Sequence, residues 1–170
     1  MSLVLLLGGA RGGKSALAAR LAGGEATLIA TGTARDEEMA ERIRLHREER
    51  PPGWTTVEEP VELAASLAAA PAGVAVVVDC LTLWVSNLLE AGWEDDVVVA
   101  EAERAAALAA ARGPLTVAVS NEVGLGIVPV TPLGRRYRDL LGRVNAAWAA
   151  DAERVLLVVA GRTLELDDPV

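Results

Sequence analysis

The amino-acid sequence predicts an α/β protein with a mostly parallel β-sheet and helices on both faces. Short apolar runs alternate along the chain with segments of helical pattern, which is the order that a parallel sheet with connecting helices requires. Four of the five runs are rich in β-branched residues and are apolar on both faces, as strands buried between two layers of helices are. The predicted strands cover residues 3–7, 27–31, 74–78, 115–120 and 155–160.

Length and composition restrict the class of protein. A chain of 170 residues without repeats or linkers predicts one domain over residues 1–170. Although 52% of the residues are hydrophobic, no apolar run approaches the ~20 residues of a membrane span. The start of the chain lacks the pattern of a secretion signal, and the single Cys80 cannot form an internal disulfide, so we expect a cytoplasmic protein. A net charge of −8 argues against a nucleic-acid partner.

The segment after the first predicted strand matches the phosphate-binding P-loop, G-x-x-x-x-G-K-[ST]. Its glycines let backbone N–H groups turn toward phosphates, and the following helix adds the positive end of its dipole. Lys14 is the only lysine, and the other 15 basic residues are arginines. The chain thus uses the compact ammonium of lysine at the one position where the motif needs it for phosphate binding. A glycine-rich turn that matches by chance is the alternative. The motif predicts a P-loop NTPase-type domain with a RecA-like sheet, in which nucleotide is bound by Gly8, Gly9, Ala10, Arg11, Gly12, Gly13, Lys14 and Ser15.

Asp79 directly follows the apolar run 74–78, where P-loop proteins place the carboxylate that holds Mg²⁺. The alternative is an aspartate that begins a turn. With a P-loop present we favour the metal role, and we predict Ser15 and Asp79 as the protein ligands of Mg²⁺.

The only histidine, His46, lies on a helix predicted over residues 36–49. It shares one face with Ile43 and another with Arg42 and Arg50, at helical spacing. Arginines suit phosphate, and a neutral imidazole can attack phosphorus, so His46 is a candidate nucleophile at the α-phosphate of a nucleotide. A structural histidine on an apolar face is the alternative.

The remaining segments give further expectations. We predict an extended segment over residues 54–58, a helix over 60–70, a helix after Thr82 and two helices between 95 and 112. The last long helix carries a predicted core stripe of Leu133, Tyr137, Leu140, Leu141, Val144 and Trp148, with Arg143 and Asn145 beside it in undecided roles.

The loop over residues 121–129 follows a strand at the edge where open α/β sheets bind ligands. Apolar residues around Gly124 and Gly126 are unusual in a solvated loop. They predict either a partner surface or a wall for a large apolar ligand.

A P-loop with an acidic strand end predicts a nucleoside triphosphate site and leaves the reaction open. The chain cannot contain the N-K-x-D element of signalling GTPases, because its only lysine lies in the P-loop. Its acidity argues against a nucleic-acid motor. A small-molecule kinase or a nucleotidyl transferase is therefore the favoured class.

Several blocks of sequence, spread over nearly the whole chain, match the pattern of one known family. In order along the chain they are 8–15, 29–31 with Asp36, Glu38 and Met39, Arg42 and Ile43 with His46, Arg50 and Pro51, Trp54 with Glu58, 79–82 with Trp84, Val85, Asn87 and Leu88, 121–129, and 142–145. Through these blocks the chain resembles the bifunctional adenosylcobinamide kinase/adenosylcobinamide-phosphate guanylyltransferases of cobalamin biosynthesis.

The resemblance implies two reactions. The first phosphorylates the hydroxyl of adenosylcobinamide with ATP or GTP, and the second transfers GMP from GTP to adenosylcobinamide phosphate, which yields adenosylcobinamide-GDP and pyrophosphate. It implies that the GMP is carried by His46, and that the protein is a homotrimer with sites between subunits. Two alternatives are a P-loop kinase for another metabolite without a histidine–nucleotide intermediate, and a non-enzymatic regulator that binds nucleotide.

The resemblance also implies roles for further residues. Asp79 keeps a carboxylate at a position where relatives also use Glu, and segment 162–170 departs from the family pattern. Nucleotide contacts are implied for Thr31, Gly32 and Thr33, and GTP binding for Arg47, Glu48, Glu49, Arg50 and Glu58.

Overall fold

The computed structural model describes residues 2–34, 37–48 and 51–167, which form a seven-stranded sheet flanked by helices. The strands are β1 Leu3–Leu7, β2 Ala26–Ala30, β3 Trp54–Glu58, β4 Ala75–Asp79, β5 Thr116–Val119, β6 Arg154–Val159 and β7 Arg162–Leu166. The helices are α1 Lys14–Ala22, α2 Glu37–Glu48, α3 Leu63–Ala69, α4 Leu81–Glu90, α5 Asp95–Ala111 and α6 Pro132–Asp151.

The strands lie in the order β3-β2-β4-β5-β1-β6-β7. Every neighbouring pair is parallel except β6 and β7, which form an antiparallel hairpin. The predicted α/β class with a mostly parallel sheet is confirmed. One consequence of the order matters for the site: β5 lies between β1, which leads into the P-loop, and β4, which ends at Asp79.

The side chains of alternate residues in β1 pack in two separate hydrophobic cores, one on each face of the sheet. Leu3 and Leu5 point into a cluster with α3, α4, α5 and α6, whereas Val4 and Leu6 pack with α1 on the opposite face. All four side chains are fully buried. Apolar residues on both faces are what a strand covered by two helix layers requires.

Three local predictions need correction. Residues 95–111 form one helix and not two, because this alanine-rich stretch contains no glycine or proline to interrupt it. Leu133, predicted in the core, is 64% exposed because it lies in the first turn of α6, before the helix reaches the sheet. Helix α3 begins at Leu63 and not near residue 60, because the Glu59 carboxylate accepts the backbone N–H groups of Val61 and Glu62 and turns the chain there.

Among the described residues, no helix combines the length and the hydropathy that crossing a membrane requires.

Arg112, just after α5, fastens α3 to the start of β4. Its guanidinium donates to the backbone oxygens of Leu67 at 3.1 Å, Ala70 at 3.2 Å, Pro71 at 2.9 Å and Val74 at 3.0 Å. These include orphan carbonyls at the end of α3. Burial lowers the pKa of Arg112, but an arginine stays charged.

Gly8, the first residue after β1, makes a close backbone approach to β6. Its φ is +149°, and a Cβ atom at this position would lie 2.2 Å from the backbone oxygen of Val158. Such a contact cannot be relieved by a side-chain rotation, because the neighbouring atom belongs to a strand. At Gly9, by contrast, no atom lies within 4 Å of the Cβ position.

Replacing Arg112 with methionine is expected to lower the free energy of unfolding by about 2–4 kcal/mol, because four backbone carbonyls, three of them in part-buried contacts, lose their donor. Urea unfolding measures this change. Arg104→Met is the matched control: Arg104 pairs with Glu101 on the surface of α5, and its loss should cost at most about 0.5 kcal/mol. Equal effects of the two substitutions would contradict the structural role given to Arg112.

The substitution Gly8→Ala is expected to destabilise the protein by about 2–4 kcal/mol, whereas Gly9→Ala should change stability by less than about 1 kcal/mol. Thermal unfolding of both variants without nucleotide measures the difference, so the result does not depend on any activity. A Gly8→Ala variant as stable as Gly9→Ala would show that the loop does not need its close approach to β6.

Candidate active site

The P-loop leaves β1 and enters α1, and the β6–β7 hairpin supports it from the side. The backbone N–H of Gly161, in the hairpin turn, donates to the oxygen of Gly12 at 2.9 Å. Gly13, the residue before α1, has φ +99°, a left-handed conformation that glycine adopts without strain. The loop therefore has a defined shape that rests on backbone contacts.

Lys14 lies inside the curve of this loop. Its ammonium donates to the oxygens of Gly8 at 2.9 Å and Gly9 at 2.6 Å, and the side chain is only 7% exposed. The positive charge is thus held among the backbone groups that the motif assigns to phosphate.

Ser15 and Asp79 meet across the carboxyl edge of the sheet. The Ser15 hydroxyl donates to Oδ2 of Asp79 at 3.2 Å, which brings together the two residues predicted to bind Mg²⁺. A hydroxyl and a carboxylate are oxygen ligands of the kind that this cation takes, and P-loop enzymes use only one or two of them besides phosphate oxygens and water. The pair fits a magnesium–nucleotide site.

Thr31 connects the end of β2 to the residue after Asp79. Its hydroxyl donates to the oxygen of Cys80 at 2.6 Å and accepts the Cys80 N–H at 2.9 Å, and the residue is fully buried. Asn87 of α4 donates to the oxygens of Thr31 at 2.8 Å and Pro60 at 2.9 Å. Burial, with the charge of Asp79, raises the pKa of the Cys80 thiol to about 11, so the thiol is neutral. These contacts set the position of Asp79.

Gly32, which follows Thr31, lies near α2. A Cβ atom at Gly32 would lie 3.3 Å from Cδ1 of Leu83 and 3.9 Å from Cδ1 of Ile43, so the Ile43 side chain of α2 lies close to the segment that follows β2. His46 belongs to α2, about one turn after Ile43.

Several predicted nucleotide residues lie where the structure describes little or nothing. The side chains of His46, Arg47 and Glu48 are outside its described part, as are Glu49 and Arg50 altogether. Glu58, the exposed last residue of β3, is paired in register with Ala30, so it lies at the same edge of the sheet. The roles of these residues remain predictions.

The residues after β5 are held by a buried polar network that the sequence did not indicate. The Ser120 hydroxyl donates to Oδ1 of Asn145 at 2.6 Å, and the Asn145 amide donates to the oxygen of Asn121 at 3.1 Å. The Asn121 N–H donates to the Thr82 hydroxyl at 2.8 Å. Asn145, undecided from the sequence, is thus a positioning residue. The available signal was an asparagine next to an apolar helical stripe.

Arg143 serves a different region. It donates to Asp96 of α5 at 2.8 Å, beside a surface cleft of about 470 Å³ that no P-loop residue lines. Arg136, in the same cleft, pairs with Asp95. We assign these ion pairs to the packing of α5 on α6.

The loop over residues 121–130 carries an exposed apolar surface. Leu125 is 84% exposed, Ile127 97% and Val130 91%. Its first part stays attached to the P-loop, because the Glu122 N–H donates to the oxygen of Gly8 at 3.3 Å. The loop therefore runs from the phosphate-binding region out to solvent.

Comparison with known proteins gives consistent matches. A family model described as "Cobinamide kinase / cobinamide phosphate guanyltransferase" matches residues 4–166. The chain is 48% identical over 169 residues to the bifunctional adenosylcobalamin biosynthesis protein CobP of Pseudomonas aeruginosa, with 95% of each chain covered. It is 42% identical over 175 residues to the CobU protein of the same description from Salmonella typhimurium, covering 94% of this chain and 96% of the relative.

The fold has a distant structural relative. The crystal structure of the RadB recombinase superposes with a TM-score of 0.52 at 17% identity, over 92% of this chain and 73% of RadB. At this identity the likeness concerns the fold alone, and it confirms the RecA-like P-loop architecture.

The family match confirms the resemblance predicted from the sequence, and with it the kinase and guanylyltransferase function that the resemblance implied. A P-loop that meets a strand-end carboxylate is consistent with that function. The chain belongs to the cobinamide kinase/cobinamide phosphate guanyltransferase family.

Proposed function

We propose that one nucleotide site, formed by the P-loop and α2, serves two reactions. The first phosphorylates adenosylcobinamide with ATP or GTP. The second transfers GMP from GTP to adenosylcobinamide phosphate through a guanylylated His46. The observation that carries the proposal is the juxtaposition at one edge of the sheet: Ser15 contacts Asp79, and the Ile43 side chain of α2 lies close to Gly32, just after β2.

In the kinase reaction, the P-loop N–H groups and Lys14 would hold the β- and γ-phosphates. The Ser15 hydroxyl and the Asp79 carboxylate would hold Mg²⁺, which supplies neutralisation of phosphate charge when bound. Lys14 already lies inside the loop, so its ammonium needs only to exchange carbonyl oxygens for phosphate oxygens.

In the guanylyl transfer, the imidazole of His46 would attack the α-phosphorus of GTP. A nitrogen–phosphorus bond forms, the bond from that phosphorus to the bridging oxygen breaks, and pyrophosphate leaves. A phosphate oxygen of adenosylcobinamide phosphate then attacks the same phosphorus and releases His46. Further contacts to GTP are proposed for Thr31, Gly32, Thr33, Arg47, Glu48, Glu49, Arg50 and Glu58.

We also propose a homotrimer, a cytoplasmic location and a single domain over residues 1–170. The exposed apolar loop supports the trimer, because so many solvated large apolar side chains are typical of a contact surface. The single sheet that contains the first and last described strands supports the single domain.

Incubation with GTP labelled at the α-phosphate tests the histidine intermediate. The wild-type protein should gain an acid-labile GMP label, His46→Ala should gain none while keeping kinase activity, and Lys14→Ala should lose both activities. Arg44→Ala is the matched control on α2, because Arg44 is exposed and paired with Glu41. It should label like the wild type.

Other outcomes separate the alternatives. Transfer of γ-phosphate without any protein–nucleotide adduct would indicate a kinase for another metabolite, with His46 in a structural role. Nucleotide binding without turnover on any cobinamide would indicate a regulator. Identical profiles for His46→Ala and Lys14→Ala would contradict the division of roles proposed for these two residues.

Sedimentation equilibrium tests the trimer. The wild-type protein should have three times the 17.7 kDa mass of the chain. Ile127→Asp should dissociate it at micromolar concentration, because the substitution buries a carboxylate in an apolar interface. Val97→Asp, at a 52% exposed position of α5, should stay trimeric. A monomeric wild type, or a trimeric Ile127→Asp, would refute the proposed interface.

A further inference from the structure

We propose that Glu122 is the general base of the kinase step, the group that takes the proton from the substrate hydroxyl. This inference rests on the proposed function, since it concerns the phosphorylation of an alcohol. A hydroxyl that attacks phosphorus must lose its proton, and a positioned carboxylate is a common acceptor in kinases.

The sheet order places Glu122 beside the P-loop. Strand β5 lies between β1 and β4, and its Val119 is in register with Leu6 on one side and Asp79 on the other. The residues that follow β5 therefore enter the space between the P-loop and Asp79. The Glu122 N–H donates to the oxygen of Gly8, which also accepts from the Lys14 ammonium.

One oxygen of the Glu122 carboxylate is held by a hydrogen bond, and the other can accept a proton. Its Oε1 accepts the backbone N–H of Gly124 at 2.6 Å, which fixes the side chain against its own loop. Its Oε2 has no hydrogen-bond partner among residues 2–34, 37–48 and 51–167. The residue is half-buried at the start of an exposed segment, so an alcohol can approach it from solvent.

The other described carboxylates that end or follow strands at this edge are less suited to the role. Asp79 is engaged with Ser15 at the proposed metal site. Glu59 uses Oε1 for two backbone N–H groups at the start of α3. Glu58 ends β3, which is separated from β1 by three strands. Unlike Asp79, Glu122 contacts the P-loop through its backbone N–H, and its carboxylate is not engaged with Ser15.

The chemistry balances with a carboxylate as acceptor. The substrate oxygen forms a bond to the γ-phosphorus, the bond from that phosphorus to the β,γ-bridging oxygen breaks, and the nucleoside diphosphate leaves. The hydroxyl proton passes to Glu122 and from there to solvent. Transfer of GMP from His46 needs no such base, because its acceptor is a phosphate that is already ionised at neutral pH. Glu122 should therefore matter for one of the two reactions only.

The substitution Glu122→Gln separates the role of Glu122 as a proton acceptor from its role in holding the loop. The amide oxygen of glutamine can still accept the Gly124 N–H, but the side chain can no longer take a proton. We expect kcat for adenosylcobinamide phosphorylation to fall about 100-fold or more. The KM for ATP, the Mg²⁺ concentration for half-maximal rate and the rate of protein guanylylation should each stay within about threefold of wild type. Glu59→Gln, which also replaces a carboxylate bonded to backbone N–H groups, should phosphorylate at the wild-type rate.

Each contrary result has a distinct meaning. If the wild type phosphorylates adenosylcobinamide and Glu122→Gln does so equally fast, the inference is wrong and the proposed function stands. Equal loss of both reactions, or a raised Mg²⁺ requirement, would assign Glu122 to structure or to the metal and also overturn it. A wild type without kinase activity overturns the proposed function itself.

A second variant covers the case in which Glu122→Gln does not fold. Glu122→Ala should lose the kinase reaction and regain part of it with added formate, but not with chloride at the same ionic strength. Failure of formate to restore any rate in a folded Glu122→Ala protein would count against proton transfer.

Discussion

The hydrogen bond between Ser15 and Asp79 connects the segment after β1 to the end of β4, and these two strands are not neighbours in the sheet. Ser15 follows β1 and Asp79 ends β4, and β5 separates those strands. The contact therefore requires the P-loop to fold over the end of β5. Gly8 and Gly12 hold the loop against the β6 side, whereas Thr31 and Asn87 hold the β4 side.

Buried polar bonds, more than apolar packing, set the geometry at this edge. Ser120, Asn145 and Thr82 connect β5, α6 and α4 through short hydrogen bonds in a region closed to solvent. A buried polar group that loses its partner costs far more than an exposed one, so such a network permits a single arrangement. That arrangement places the residues after β5 beside the phosphate loop.

The site combines elements that adjoin the ends of the strands with elements that extend away from the sheet. Asp79 ends β4 and the P-loop directly follows β1, while α2 and the loop after Glu122 extend beyond the carboxyl edge of the sheet. A phosphate loop at the sheet with separate outer elements suits an enzyme that must offer one nucleotide to two acceptors. In the proposed mechanism the acceptors differ in whether they carry a proton to be removed, which is why a base beside that loop would serve only the alcohol.

The sequence by itself determined the fold class, the phosphate loop, the strand-end carboxylate and the family. These features depend on local pattern: alternating strand and helix periodicity, a fixed spacing of glycines and a lysine, and blocks of matching residues. The single helix over 95–111 could also have been predicted correctly, since it contains no glycine or proline that would break a helix.

Only the tertiary structure decided which distant residues meet. Nothing in the local sequence says that β5 lies between β1 and β4. The strand order brings Glu122 to Gly8, and the packing of α6 on the sheet brings Asn145 to Ser120. Leu133 shows the same limit, because its helical spacing matched the core stripe although its turn of α6 lies beyond the sheet. Periodicity specifies a face of an element, but burial depends on what the folded chain places opposite that face.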